Sequence, residues 1–267
     1  MAFSEGPIRL VCLQLAVVRR RTMAEKGDLW DMVRTVAVAG LLALGARSVV
    51  AQPFHVPSGS MEPTLEVGDF LFASKFPYGY SRYSFPLDAL PIAGRVLGHA
   101  PERGDIVVFR LPRDPELVYV KRLIGLPGDM VQMRGGILHV NGQPAALERL
   151  EDFIETGADG VRRTIPQYVE HLPGGPAHRV LHVAGRDGLD DTPLLRVPDG
   201  HYFMLGDNRS NSLDSRVAAT AGGVGFVPAE NLVGRADLRH FSVDPSVLDE
   251  PARWPLALRL DRIGLIR

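Results

Sequence analysis

Glycine and proline break this chain too often for it to be a bundle of long helices. Its 28 Gly and 21 Pro make up about 18% of 267 residues, against ~12% in ordinary proteins. The excess has no collagen-like period and forms no low-complexity tract, so it reads as turns joining short strands. The segments between the turns agree. LEVGDFLFASKF at 65–76, GDIVVFRL at 104–111 and LVYVKRLI at 117–124 carry the β-branched and aromatic runs of strands. HYFMLGD from His201 and LVGRADLRHFSV from Leu232 continue the pattern, and Ile137–Val140 followed by Asn141-Gly142 predicts a tight hairpin. The expected fold is mainly β, an antiparallel β-sheet core. From about Gln143 to Asp199 the sequence turns polar and Pro/Gly-broken (LPGGPAH, GRDGLDDTP), which predicts a smaller β subdomain inserted at about 143–199. Trp254–Ile266 predicts a terminal helix.

Charge is uneven along the chain. The net charge is −1, with 45% apolar residues, which excludes intrinsic disorder and leaves no basic footprint for nucleic acid. Yet residues 1–34 hold Arg9, Arg19, Arg20, Arg21, Lys26 and Arg34, whereas no Lys or Arg occurs from Ser48 to Ser74. Between them lies TVAVAGLLALGARSVVA, Thr35 to Ala51, interrupted only by Arg47. A membrane helix needs about 20 mostly apolar residues, and basic flanks stay in the cytoplasm. The reading is a cytoplasmic segment at 1–28, one N-terminal transmembrane helix at 29–51 and an exported domain at 52–267. A buried amphipathic helix is the alternative; a cleaved signal peptide is the other, but no small-residue exit follows a short apolar stretch. Residues 1–22 are too weakly apolar to span, and Met23 offers a second start, so the leader is expected to be an extension. The single cysteine, Cys12, lies in that leader and can form no intrachain disulfide.

Three stretches place polar residues beside strands that otherwise look buried. They are PSGSMEPTL from Pro57, YVKR from Tyr119 and GDNRSNSLDSR from Gly206. A serine hydroxyl is a weak nucleophile until a base takes its proton. Lysine is such a base only when neutral, and burial among Val118, Val120 and Leu123 would lower its pKa. Ser212 suits the task of orienting a neutral amine without reprotonating it. A tetrahedral intermediate needs donors for its oxyanion, and the Ser60 amide with the Ser58 hydroxyl would supply two. Each stretch has a plain structural reading alone: a Ser-Gly-Ser turn, a strand lysine, an Asp214–Arg216 ion pair. Their combination, in this order behind an apolar run, favours chemistry. His178 and His182 stand four apart without a third ligand, so no metal site is expected. Asn208-Arg209-Ser210 is a coincidental sequon inside the candidate site, and Gly222-Gly223-Val224-Gly225 reads as a turn, since no Lys-Ser/Thr follows.

These stretches, with RGDIVVF, VYVKRLIGLPGD and GGVGFVPAENLVGRA, resemble the bacterial type I signal peptidases, membrane-bound Ser/Lys endopeptidases of the S26 family. The likeness runs from the apolar run to about Ala236. It implies Ser60 as nucleophile, Lys121 as general base, Ser58 and the Ser60 amide as oxyanion hole, and Ser212 as the group orienting Lys121. It further implies Asp214 and Arg216 as a supporting pair and Met61 as part of the substrate-binding surface. The implied fold is a catalytic antiparallel β core with an inserted β subdomain. The implied activity, which takes no cofactor or metal, is removal of signal peptides from secretory preproteins after a small-x-small motif. That work is done at the lipid bilayer of the inner membrane with the catalytic domain in the periplasm. Some members carry two spans and a disulfide in the insert; here one run is convincing and no cysteine is available. The rivals are a Ser/Lys self-cleaving protease, which has no use for the apolar run, and a catalytically inactive membrane-tethered β binding module. Labelling by a serine-reactive acylating inhibitor separates the second rival from an enzyme.

Overall fold

The computed structural model describes residues 29–42, 45, 50–85, 92–156, 161–185, 188–247 and 254–266. Residues 29–42 form a helix exposed along its length. Among the described residues no helix is long and apolar enough to cross a membrane. The span expected at 29–51 is therefore not seen as one helix. Residues 43, 44 and 46–49 lie outside the described residues, and Ala51 already belongs to a strand. The expected leader at 1–22, the start at Met23 and Cys12 also lie outside them.

From Ser48 onward the chain forms a separate compact unit. Its main sheet uses β1 (Ala51–His55), β2 (Asp69–Ser74), β3 (Ile106–Leu111) and β4 (Asp114–Gly125). After Gly125 the chain leaves that sheet for nine strands. Four of them, β5 (Met130–Arg134), β6 (Ile137–Val140), β7 (Gln143–Pro144) and, much later, β13 (Leu195–Arg196), make one small sheet. A three-stranded sheet consists of β8 (Ala146–Arg149), β11 (Gln167–His171) and β12 (Ala177–Leu181), while β9 (Phe153–Thr156) and β10 (Arg162–Ile165) pair with each other. The chain then returns with β14 (His201–Leu205), β15 (Val227–Pro228), β16 (Leu232–Ser242) and β17 (Gly264–Leu265). The main sheet runs β1-β2-β16-β3-β4-β14-β15, with β17 also on β16, and its strand pairings are antiparallel. By sheet membership the excursion occupies residues 126–200, and the polar stretch at 143–199 is its larger part.

Local chemistry explains these choices. Asn141 and Gly142 adopt φ of +52° and +80°, the paired left-handed conformation of a two-residue hairpin that favours Asn-Gly. In β2 the buried positions alternate, Asp69, Leu71 and Ala73 facing inward, as a sheet with one covered face requires. The end of β4 differs. Every residue from Lys121 to Gly125 is buried, so its two faces both meet protein. Leu123 packs with Tyr78, Val107, Phe109, Leu111, Tyr202 and Met204; Ile124 joins Val131, Met133, Leu138, Val140 and Phe203 beneath the small sheet.

The terminal segment is not the helix its apolar residues suggest. It forms one helical turn at Trp254–Ala257, a 3-10 turn at Leu260–Arg262 and the short β17. Two ion pairs pull it out of helical register: Arg259 to Glu66 at 2.8 Å and Arg262 to Asp69 at 2.7 Å. Leu265 meanwhile pairs with Leu238 on β16. Tertiary contacts of this kind override weak helical propensity.

Candidate active site

The nucleophile candidate sits on the 3-10 turn Gly59–Met61, which begins as the chain leaves β1. Met61 is fully buried in the core below the turn. Its side chain packs beneath the turn with Val56, Leu65 and Leu71, and it is not among the residues lining the cavity at the site. Glycine at 59 leaves room for the Glu62 carboxylate: a Cβ there would lie 2.6 Å from Oε2 of Glu62, which would have to shift. This packing leaves Ser60 only slightly accessible, with its hydroxyl turned to β4.

The antiparallel register pairs Lys121 with Val107 and Arg122 with Ile106. Successive side chains on a strand point to opposite faces, so the two cations part company. Lys121 Nζ reaches Ser60 Oγ at 2.6 Å, joining residues 61 apart in sequence. Burial is the main influence on the amine and pushes its pKa down to about 8. Asp214 and Asp207 pull the other way, and Arg216 adds to the depression. With its pKa about 8, roughly one-tenth of the amine is neutral at pH 7 and about half at pH 8, which makes the neutral form a general base needs accessible near physiological pH.

Arg122 faces the opposite way and makes a two-pronged bond to Asp207, Nε to Oδ1 at 2.8 Å and Nη2 to Oδ2 at 2.7 Å. Both groups are buried. Arg122 also donates to the Gly104 carbonyl, and Thr64 donates to Asp207 Oδ2 at 2.6 Å. Burial would raise the Asp207 carboxyl, but Arg122 and these bonds hold it below its ordinary value. Little in the sequence announces this pair. The only signal for it was an arginine directly after the lysine and an aspartate at the head of the third stretch.

The third stretch closes the site as a loop. Asn208 N donates to the Ser60 carbonyl at 3.2 Å. Gly206 passes so near that a Cβ would lie 2.2 Å from Ser212 Oγ and 2.5 Å from the Ser60 carbonyl oxygen. Asp214 and Arg216 are joined by Nε to Oδ1 at 2.9 Å and Nη2 to Oδ2 at 3.0 Å. Asp214 also accepts Gly206 N at 3.1 Å, while Arg216 donates to the Arg209 carbonyl at 2.7 Å. The two therefore fix the loop's shape. Ser212 is brought beside Gly206, and its hydroxyl is buried without a hydrogen-bond partner among the described residues. The expected bond from Ser212 to Lys121 is not formed. Ser58 Oγ lies 3.5 Å from Ser60 Oγ, close enough for both to face one bound group.

A cavity of about 490 Å³ opens over this pair, lined by Ser58, Ser60 and Lys121 on one side and by Phe54, Leu71 and Val118 among its apolar residues. Glu62 beneath it has its carboxyl pushed up to about 7, chiefly by burial and then by Glu155 and Glu66. No cluster of three or more metal-ligating side chains occurs among the described residues. His178 and His182 do not converge: His182 pairs with Asp190 at 2.7 Å, and His178 lies 3.4 Å from Glu170.

A family model described as signal peptidase, peptidase S26, matches residues 29–241. A signal peptidase I of Rickettsia typhi is 41% identical over 209 residues, covering 75% of this chain and 76% of the relative. A signal peptidase I of Rickettsia akari is 37% identical over 256 residues, covering 89% and 91%. A crystal structure of a signal peptidase I from Enterococcus faecalis matches 51% of this chain and 97% of its own, at 30% identity and a TM-score of 0.30.

Proposed function

Because the chain belongs to the S26 family of signal peptidases and is a serine endopeptidase of that family, we propose that Ser60 and Lys121 are its catalytic pair. The observation that carries this reading is the 2.6 Å contact between a buried, pKa-depressed lysine amine and a serine hydroxyl at the floor of a cavity. Neutral Lys121 accepts the Ser60 proton as Oγ adds to the scissile carbonyl. The Ser58 hydroxyl and the Ser60 amide stabilise the resulting oxyanion. Lys121, now protonated, returns that proton to the leaving amine as the C–N bond breaks. A water then attacks the ester with Lys121 again as base, releasing the acid and regenerating Ser60. Ser212 would serve this cycle by turning its unpartnered hydroxyl to the amine once substrate is bound.

The substrates are signal-peptide-bearing secretory preproteins, cut after a small-x-small segment whose small residues fit a shallow wall of Phe54, Leu71 and Val118. Attachment to the cytoplasmic membrane through the apolar run at 29–51, with the N-terminus inside and the catalytic unit in the periplasm, is supported by the basic residues before the run and their absence from 48–74. The test incubates detergent-solubilised wild type and Ser60→Ala with a precursor protein and locates the cut by mass. Wild type cleaves at one small-x-small site and the variant does not. Substantial turnover by Ser60→Ala would falsify the assignment.

A further inference from the structure

The excursion between β4 and β14 is not a bystander to the site. Its strand β12 is bound directly to the loop that closes over Ser60. Leu181 N donates to the Asp207 carbonyl at 2.9 Å, in a parallel bridge to Asn208. Val183 N donates to Ser210 Oγ at 2.8 Å, and that hydroxyl donates back to the Val183 carbonyl at 3.3 Å. From the neighbouring strand β11, Glu170 takes both prongs of Arg209, Nη1 to Oε2 at 2.9 Å and Nη2 to Oε1. Glu170 and Arg209 are each about 99% and 98% buried, so the pair is shielded from the screening that makes surface pairs weak. Arg209 in turn donates from Nε to the Gly206 carbonyl at 3.2 Å, and the next residue back, Asn208, holds the Ser60 carbonyl.

We propose that the insert positions the catalytic loop, with Glu170 as a positioning residue that acts on Ser60 through Arg209 and Asn208. This inference rests on the Ser60–Lys121 reading above. The route is continuous: carboxylate on β11, guanidinium on the loop, loop backbone, nucleophile carbonyl. A two-pronged charged pair resists sliding and rotation together, which a single backbone bond does not. Displacing a reacting atom by about 1 Å can cost a hundredfold in rate, so the strap matters for turnover even though it touches no substrate.

The test compares full-length wild type, Glu170→Gln, Ser210→Ala and Glu148→Gln in detergent, measuring kcat and KM on a precursor, the pH–rate profile and thermal unfolding. Glu148 is on the same three-stranded sheet, opposite Val169, but largely exposed and 3.7 Å from His171, and Glu148→Gln keeps wild-type kinetics. Glu170→Gln lowers kcat at least tenfold with KM within threefold. Its rising pH limb moves to higher pH, because water admitted under the loop undoes part of the desolvation of Lys121, while Asp207, Asp214 and Arg216 remain around the amine. Ser210→Ala, which removes the milder tether, lowers kcat several-fold with the same direction of pH shift. If Glu170→Gln fails to fold, Ser210→Ala decides. Wild-type kcat and pH limb in the folded variants, or a change confined to KM, overturns the positioning role while leaving the catalytic pair standing. A wild type that cuts no precursor, or a Ser60→Ala that does, ends both readings.

Discussion

Replacing Lys121 with methionine should disable the enzyme and make it more stable at the same time. Methionine keeps the length and apolar stem of lysine and discards the amine. The folded protein holds that amine at a pKa of about 8 against 10.5 for an ordinary lysine, so folding at pH 7 works against its protonation. The linkage relation gives the sign: between about pH 8 and 10.5 the unfolded chain binds more protons than the folded one, so stability rises with pH across that window. Below about pH 8 both states are protonated and the penalty is at its full size. At ~1.4 kcal/mol per pKa unit it is about 3 kcal/mol. Losing the bond to Ser60 gives back about 1 kcal/mol, leaving Lys121→Met more stable at pH 7 by about 2 kcal/mol. For a chain of this size that is a rise of roughly 4–8 °C in midpoint. The assay is reversible denaturant unfolding of the full chain in detergent, wild type against Lys121→Met, at pH 7 and pH 10.5, beside precursor cleavage. The variant should be inactive, and its advantage should shrink or reverse at pH 10.5, where wild type no longer carries the penalty. A variant less stable than wild type at pH 7, or with the same advantage at both pH values, would refute the claim that burial depresses the pKa of this amine.

Three further outcomes follow from the same geometry. Precursor cleavage should rise about tenfold from pH 7 to pH 9, as the neutral fraction of a group with pKa about 8 grows from ~0.1 to ~0.9; a flat pH–rate profile there would count against a lysine base. Gly206→Ala should reduce kcat by at least a hundredfold, since its Cβ would meet the Ser60 carbonyl oxygen at 2.5 Å; near-wild-type kcat in steady-state assays would show the loop to be freely adaptable. Asp207→Asn should lower stability by about 3–5 kcal/mol, because Arg122 stays buried with its charge uncompensated; thermal unfolding within 2 °C of wild type would contradict that account.

What could be read from the residues alone was whatever is encoded locally. Turn-forming glycines and β-branched runs announced the strands, and the Asn141-Gly142 hairpin followed from two residues. Ser60 and Lys121 stood out because a nucleophile type and a charged residue appeared where neighbours demanded a turn and a buried strand. The Arg122–Asp207 pair was not legible, because its partners are 85 residues apart and each looks like an ordinary polar residue until the sheet register joins them. The depth of Met61 is hidden for a related reason: next to the candidate nucleophile in sequence, its side chain is buried in the core beneath the turn. The terminal segment went wrong where long-range charge pairs at Arg259 and Arg262 outbid local preference. Ser212 arrived at the right loop, yet its hydroxyl does not reach Lys121, since the strand and loop set side-chain directions that spacing does not reveal.

The position of β16 between β2 and β3 has a consequence for the life of the molecule. The turn bearing Ser60 leads into β2, and Lys121 rides on the β3–β4 hairpin, but the sheet offers these two blocks no direct seam. They are bridged by a strand that leaves the ribosome after nearly nine-tenths of the chain has been made. A truncated product thus has both side chains but lacks the strand that sets their blocks in register within the sheet. The meeting of these two side chains is in this way conditional on nearly complete synthesis, because the strand that joins their blocks in the sheet is among the last to be made.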